Sequence, residues 1–307
     1  MIREFEDGMI VNDVFLVKDV VKGVTTAGLN YLNIVLQDSS GTIDAKKREI
    51  KDQDLNIFAL GNVVNVNGEV YNYKGKLQFK IYGASIAKDG TDLTSLLIPS
   101  PIPVEILEKR LRSYVSSIEN PDLKAIVNEV FKRYYSKFIE FPAAVKNHHE
   151  FYHGLIYHSV GMCDLAKEVA KLYNDVNYDL LISGCLLHDL GKVVELSGPV
   201  ATKYTTEGNL LGHLTIGMSI VREIANELHI EGDAPLLLEH MILSHHGKLE
   251  FGAAVLPITR EALLLSMIDD MDAKMMMLDK AYQDVPKGEY TERIFGLDNR
   301  SFYKGNI

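Results

Sequence analysis

All ten histidines of the chain fall between residues 148 and 246. Five recur at the ends or on the faces of apolar segments with helical period: His158 in GLIYHSVGM, His188 in CLLHDLGK, His213 in LLGHLTIG, and His245 and His246 in LSHHGK. Asp189 stands beside His188, and Asp269 follows in LLLSMIDDMDAK. A buried imidazole or carboxylate is costly unless it is paired or bound to a metal. One such His is commonly a satisfied structural residue. Several helices that each present His or Asp at an apolar surface can instead converge on one point of a bundle. Imidazoles suit zinc, iron, manganese, cobalt and nickel, and carboxylates favour the harder end of that series. Five His and two Asp exceed the needs of one tetrahedral ion. They suit two divalent ions with one carboxylate bridging. Such a pair lowers the pKa of a shared water and clamps the oxygens of an attacked phosphate. Lys192, three residues beyond Asp189, is placed to neutralise charge developing on the phosphoryl group, provided that Gly191 lets the chain turn.

The segments that must position these residues are helical. VEILEKRLRSYVSSI and PDLKAIVNEVFKRYYSKFIE read as helices, the second with Pro121 at its start. More are expected near 153 to 173, 178 to 189, 210 to 228, 234 to 246 and 259 to 281. The first part of the chain has a different period: residues 9 to 86 read as strands, the first of them ahead of YLNIVLQD. YLNIVLQD alternates, with Leu32, Ile34 and Leu36 on one face, and TIDAKK follows a tight turn as its hairpin partner. KDQDLNIFAL reads as a short helix, and NVVNVNGEVYNY and KLQFKIYGASI as a second hairpin around Lys74 and Gly75. Three strands, a helix and two more strands is the order of an OB-fold barrel. The expected architecture is therefore a two-domain α+β chain. Residues 1 to 88 form an N-terminal β-barrel, 89 to 103 a linker stiffened by prolines 99, 101 and 103, and 104 to 307 an all-α bundle.

Composition is that of an ordinary globular protein, 47% hydrophobic and 24% charged over 307 residues. A net charge of −10 argues against a protein that coats nucleic acid non-specifically. It leaves room for a local groove. In the barrel half, Tyr71, Tyr73, Lys74, Lys76, Gln78, Phe79 and Lys80 alternate along one hairpin, and Lys18, Lys22 and Tyr31 are candidates to join them. Aromatics beside basic groups are how OB-folds grip single strands; the plainer alternative is a solvated hairpin with core aromatics. No apolar run approaches the roughly 18 residues that span a bilayer, and no signal peptide is evident, so a membrane is not an expected partner. Cys163 and Cys185, both in apolar helical stretches, suit a reducing cytoplasm.

His158, the His188–Asp189 dyad and Asp269 resemble the H…HD…D signature of HD-domain metal-dependent phosphohydrolases, and His213 with the His245–His246 pair resembles the additional ligands of its binuclear members. An OB-fold followed by this signature, with NHH at 147 to 149, HDLGK, SHHGKLE at 244 to 250 and DAK at 272 to 274, is similar to the YhaM-type 3′→5′ exoribonucleases of Gram-positive bacteria. The resemblance covers nearly the whole chain. It implies that His158, His188, Asp189 and Asp269 hold one metal and that Asp189 bridges to a second, held by His213, His245 and His246. How the last two divide their duties stays open. It implies Mn²⁺ as the ion, with Fe, Co, Ni or Mg as other candidates, and nucleoside 5′-monophosphates as products. The implied partner is single-stranded RNA, with single-stranded DNA and self-association left open. Related barrels often carry a Trp after the third strand; here Lys47 and Arg48 stand nearby and the chain has no Trp.

Among the remaining residues, His148 and His149 are candidates to lie near substrate phosphate, with surface or capping roles as the alternative; His153 is a weaker one. His229 and His240 read as structural. Asp272, three residues after Asp269 on the same helix, reads as a solvated face first and as support behind a ligand second. Two further readings of the whole chain compete: a phosphodiesterase on small or cyclic nucleotides, and a nucleic-acid-binding replication or regulatory factor with a structural ion. SHHGKLEFGAAVLP matches the HHE…GYP element of cyclic dinucleotide phosphodiesterases only in its His pair. A structural ion needs neither an open position nor a neighbouring lysine.

Overall fold

The computed structural model describes residues 1–88, 90–145, 150–283 and 285–307. The chain divides into two compact units, one made of residues 1–99 with 199–201, the other of 100–198 with 202–307.

In the first unit five strands close a barrel: β1 (Ile10–Val24), β2 (Asn30–Asp38), β3 (Gly41–Arg48), β4 (Val63–Tyr73) and β5 (Lys76–Ile86), in the order β1-β2-β3-β5-β4. A short helix, α1 (Asp52–Ile57), joins β3 to β4. This is the OB-fold order expected from the alternating pattern. The long β1 serves two neighbours: Ile10 to Leu16 pair with β4, and Leu16 to Val24 with β2. Its register slips between Val17 and Asp19, a bulge that bends the strand from one neighbour to the next. Alternation delivers Phe15, Leu32, Ile34, Leu36, Ala45, Val64, Val66 and Phe79 to a dry interior, and Phe5, Phe15 and Phe79 meet there with ring centroids 6.3 to 6.4 Å apart. Part of the expected linker packs here too. Leu96 and Leu97 are buried, and Gln37 Nε2 donates to the Leu96 carbonyl.

The second unit is helical: α2 (Val104–Ser117), α3 (Pro121–Glu140), α4 (Gly154–Ala170), α5 (Tyr178–Leu187), α6 (Lys192–Glu195), α7 (Thr206–Glu227), α8 (Asp233–Ser244) and α9 (Arg260–Tyr282). Polar side chains begin several of them. Asn120 accepts from the N–H groups of Asp122 and Leu123, Asn177 from Leu180, Thr205 from Gly208 and Thr259 from Ala262. Helix α5 is apolar on every side and buried from Leu180 to Leu187, as a helix surrounded by others must be. Two expectations are corrected. The one-turn α6, too short to leave a periodic signal, lies where a turn was expected, and α7 starts at Thr206 rather than 210 because Thr205 caps it there. Among the described residues, no helix is long and apolar enough to cross a membrane.

Candidate metal centre

Four helix ends or faces deliver the cluster. His158 projects from the first turns of α4, His188 follows the last residue of α5, His245 follows the last residue of α8, and Asp269 lies midway along α9. His213 depends on a break in α7. Gly212 there takes φ 70° and ψ 152°, a left-handed departure that glycine adopts at least cost, and the helix resumes with His213 re-aimed. His158, His188, Asp189 and His245 are at most 2% exposed.

Asp189 stands between two groups. Its Oδ2 lies 3.3 Å from His188 Nε2 and 3.8 Å from His158 Nε2, and Asp269 Oδ1 is 3.2 Å from the same His158 nitrogen. Its Oδ1 lies 3.5 Å from His213 Nε2 and 3.6 Å from His245 Nε2. His246 joins His213 and His245 in a compact trio, as His158, His188 and Asp189 form another. Every one of the five imidazoles is anchored through its other nitrogen. The Nδ1 of His188, His245 and His246 meets the carbonyls of Cys185, Ile242 and Phe251 at 3.0, 2.8 and 2.9 Å; that of His158 meets Asp272 Oδ2 at 2.6 Å, and that of His213 meets Glu195 Oε1 at 3.0 Å. Carbonyls and carboxylates only accept, so each Nδ1 carries the hydrogen. The Nε2 atoms are thereby turned to the centre, with a bare lone pair wherever the ring is neutral.

That arrangement fits cations. The Nε2 atoms of His158 and His188 are 3.1 Å apart, too close for two bare lone pairs, so a proton or a metal cation is needed between them. Asp189 Oδ1 and His213 Nε2 are buried without a hydrogen-bond partner, a state seldom tolerated unless something else satisfies the atom. Burial opposes charge on His158, but hydrogen bonds to Asp269 and Asp272 outweigh it and push its pKa up to about 10. On the other side, burial keeps His245 and His246 below the ordinary imidazole value and so neutral at pH 7. Burial would raise the Asp189 carboxyl, yet Lys192 and His188 hold it well below the carboxylate range. Lys192 Nζ is 2.6 Å from Asp189 Oδ2. Burial works against its charge, and Asp189 more than restores it.

Lys192 reaches Asp189 by a route other than the expected one. Gly191 is not a left-handed turn; it has helical φ −58° and ψ −19°. What requires glycine there is proximity, since a Cβ would sit 2.0 Å from the His213 carbonyl oxygen. Gly191→Ala should therefore push α7 away and cost about 1–3 kcal/mol, read as a lower urea midpoint. An unchanged midpoint would show that α7 yields freely.

Two carboxylates were undervalued by the sequence. Asp272 is not merely a solvated face: its Oδ2 lies 2.6 Å from His158 Nδ1, the position of a support behind a candidate ligand. Glu195 carried no sequence signal beyond lying six residues after Asp189. It accepts from both the backbone N–H and the Nδ1–H of His213, and burial, which would raise its carboxyl, is outweighed by His213. Carboxylates behind ligating imidazoles typically contribute about 10–100-fold to metal affinity. Asp272→Asn should weaken divalent-metal binding, probed with Mn²⁺ in titration calorimetry, by about that factor, and an unaltered affinity would remove it from the support of His158.

Of the other candidates, His153 takes a left-handed conformation at the start of α4 and contacts the Ile139 carbonyl through Nδ1, and His240 Nε2 accepts from the Ile258 N–H, both structural duties. His148 and His149 lie outside the described residues. In the barrel, Tyr71, Tyr73, Lys76 and Gln78 do share the outer face. Tyr71 is half-buried and its hydroxyl donates to Gln78 Oε1 at 2.7 Å; Tyr73 is exposed, with Lys46 and Lys74 over its ring. Lys74 sits in the β4–β5 turn with φ 54°, and Lys18 is the extra residue of the β1 bulge. Tyr31 lies flat on Gly23, where a Cβ would meet its ring at 2.4 Å.

A helical bundle with this His/Asp cluster defines an HD-domain protein, and the family model described as "HD domain" matches residues 155–274. The chain belongs to the YhaM 3′-5′ exoribonuclease family: it is 43% identical over 305 residues to the "3'-5' exoribonuclease YhaM" of Geobacillus sp. (strain WCH70), covering 99% of this chain and 94% of that one. Among solved structures, the second OB-fold domain of replication protein A from Methanococcus maripaludis aligns with 30% of this chain and 97% of its own at 16% identity and a TM-score of 0.24. The HD domain of the L. monocytogenes phosphodiesterase PgpH aligns with 51% of this chain and 74% of its own at 16% identity and a TM-score of 0.31.

Proposed function

We propose that the protein is a metal-dependent 3′→5′ exoribonuclease that releases nucleoside 5′-monophosphates from single-stranded RNA, with single-stranded DNA within its range. The observation that carries this reading is the double-facing Asp189 carboxylate, one oxygen toward His158 and His188 and the other toward His213 and His245. Asp269 would complete the first position and His246 the second. Two Mn²⁺ ions, with Fe, Co, Ni or Mg as substitutes, would supply a water of lowered pKa and a clamp on the phosphate oxygens.

The chain's own groups do the rest. Anchored Nδ1–H groups hold the five imidazoles in one orientation with Nε2 toward the centre, and His158, whose pKa is raised to about 10, would give up its Nε2 proton on ligating. Lys192 stays cationic against Asp189 and stands beside the position where phosphoryl charge would build. Burial of His188, Asp189 and His245 excludes bulk water and strengthens each of these interactions. The barrel (1 to 88) would hold the strand on its outer face while the bundle (104 to 307) cuts. A cytoplasmic location belongs to the same proposal, supported by two buried, unlinked thiols.

The test is 5′-labelled single-stranded RNA incubated with Mn²⁺, with and without chelator, and products resolved by length. A ladder shortening from the 3′ end, absent with chelator, is expected. Intact RNA together with turnover of cyclic dinucleotides would assign the site to the small-nucleotide phosphodiesterases, and binding without any turnover to a non-catalytic factor.

A further inference from the structure

The outer face of the barrel carries a feature that general strand binding does not explain. Residues paired across β1, β2, β3 and β5 form a row: Asp19 faces Val35, Val35 faces Asp44, and Asp44 faces Gln78. The next row outward is Val21, Asn33, Lys46 and Lys80. Between the two rows lies a cavity of about 280 Å³, walled by Asp19, Asp44, Asn33, Lys46 and Gln78 over a floor that includes Val35. That volume is just under the roughly 300–1,000 Å³ that drug-sized ligands occupy, which suits one planar ring with part of its sugar.

The chemistry of the wall narrows the occupant. Two carboxylates would repel a phosphate, and the Lys46 ammonium in the same wall disfavours a bare cation. Carboxylates accept and cannot donate, so the occupant must bring N–H groups. Gln78 lines the cavity, and its Oε1 accepts from the Tyr71 hydroxyl at 2.7 Å, which leaves the amide nitrogen as the donor this side chain has to offer. Asp44 is its directly paired neighbour. An acceptor-only group beside a donor matches an edge with two adjacent N–H groups next to a carbonyl. Guanine has that edge, in N1–H, N2–H₂ and O6. Uracil offers one N–H between two carbonyls, one of which must face a carboxylate. Adenine and cytosine each offer a single amino group and no carbonyl on the far side of a ring N–H.

The geometry points to a guanine pocket: the barrel reads one guanine of the bound strand through Asp44 and Gln78, against the apolar Val35. This rests on the proposed binding of single-stranded RNA by the barrel, and gives that surface a base preference which stacking and phosphate contacts do not.

The experiment is fluorescence anisotropy of the full chain in chelator, so that strands are bound and not cut. The probes are oligouridine 12-mers carrying a single guanine, adenine or cytosine at each position in turn. A guanine at one register should tighten binding about tenfold over oligouridine, the scale of one good two-point base contact. Adenine or cytosine there should gain less than threefold. Asp44→Asn should erase the guanine gain while leaving oligouridine affinity within about twofold, and Gln78→Leu should erase the guanine gain whatever it does to oligouridine affinity; both are outer-face substitutions, and far-UV circular dichroism verifies the fold. Equal affinity for all oligomers, or a gain that survives both substitutions, overturns the pocket and leaves the RNA reading standing. No binding of any oligomer overturns both. Displacement of the strand by free guanosine monophosphate at equal concentration would make the site a nucleotide sensor and overturn the reading of a base within a strand.

Discussion

Asp189→Asn should reduce RNA turnover by at least about a thousandfold, roughly 4 kcal/mol of transition-state stabilisation, with strand affinity retained within a fewfold. The substitution keeps shape and volume and removes one charge. That charge is in contact with both imidazole groups and with Lys192. An amide cannot offer two equivalent anionic oxygens, so both proposed metal positions would lose a ligand at once. Lys192 also loses its partner, and a buried ammonium left alone is destabilising; the variant should therefore melt earlier. Binding belongs to the barrel in this account, and the barrel core shares none of these residues. Steady-state hydrolysis of labelled RNA beside an anisotropy titration decides it. Turnover within tenfold of the parent protein would remove Asp189 from the bridging position, and a parallel collapse of affinity would mean that the strand is gripped at the metal centre.

Removing the ions should be as severe, and it should leave a pH signature. Chelation is expected to abolish activity and to lower the thermal midpoint, because a ligand bound at a hundred times its Kd stabilises the folded state by about 2.7 kcal/mol. In the metal-free protein, burial holds His245 and His246 below the ordinary imidazole pKa. Unfolded, they take protons below about pH 6.5 that the folded chain refuses. Stability thus falls as pH drops through that value. His158 works the other way. Its pKa is raised to about 10 against burial by Asp269 and Asp272, so its contribution is complete below pH 6.5 and drains away as pH rises from there toward 10. The metal-free midpoint should fall on both sides of neutrality, and excess Mn²⁺ should restore it at neutral pH and above. A midpoint indifferent to chelator across that range would mean that no ion is held by these residues.

The candidate ligands were legible in the sequence because His or Asp stands within or at the end of otherwise apolar helical runs: the run from Leu180 to Leu187 is interior by composition, and a His–Asp pair ending it demands a partner. The barrel was legible because alternation over nine to fifteen residues of strand leaves little choice of face. What failed was whatever lay in contacts between separate elements. Glu195 has an ordinary glutamate's neighbourhood along the chain, and only the packing of α6 on α7 brings it to His213. Asp272 shares its spacing with countless solvated helix faces, and only α4 tells it apart. Gly191 looked like a turn because glycine's permissiveness along its own backbone is the usual reason for its presence; here the reason is a carbonyl more than twenty residues away. Asp19 and Asp44 give no signal along the chain, because the cavity wall is assembled from β1, β2 and β3 with Gln78 of β5, and only the closed barrel brings those strands together.

Asp189, Lys192 and Glu195 are spaced three apart, and the last two occupy the single turn of α6. One turn has no slack. Each residue added to a helix rotates every later side chain by about 100°, so an insertion anywhere between Asp189 and Glu195 would swing Lys192 or Glu195 out of reach while leaving every ligand letter in place. The stretch from His188 to Glu195 therefore behaves as a gauge block. Across descendants of such a chain its length is the inherited quantity, and a relative that keeps every histidine but gains or loses a residue here should be read as having lost the enzyme.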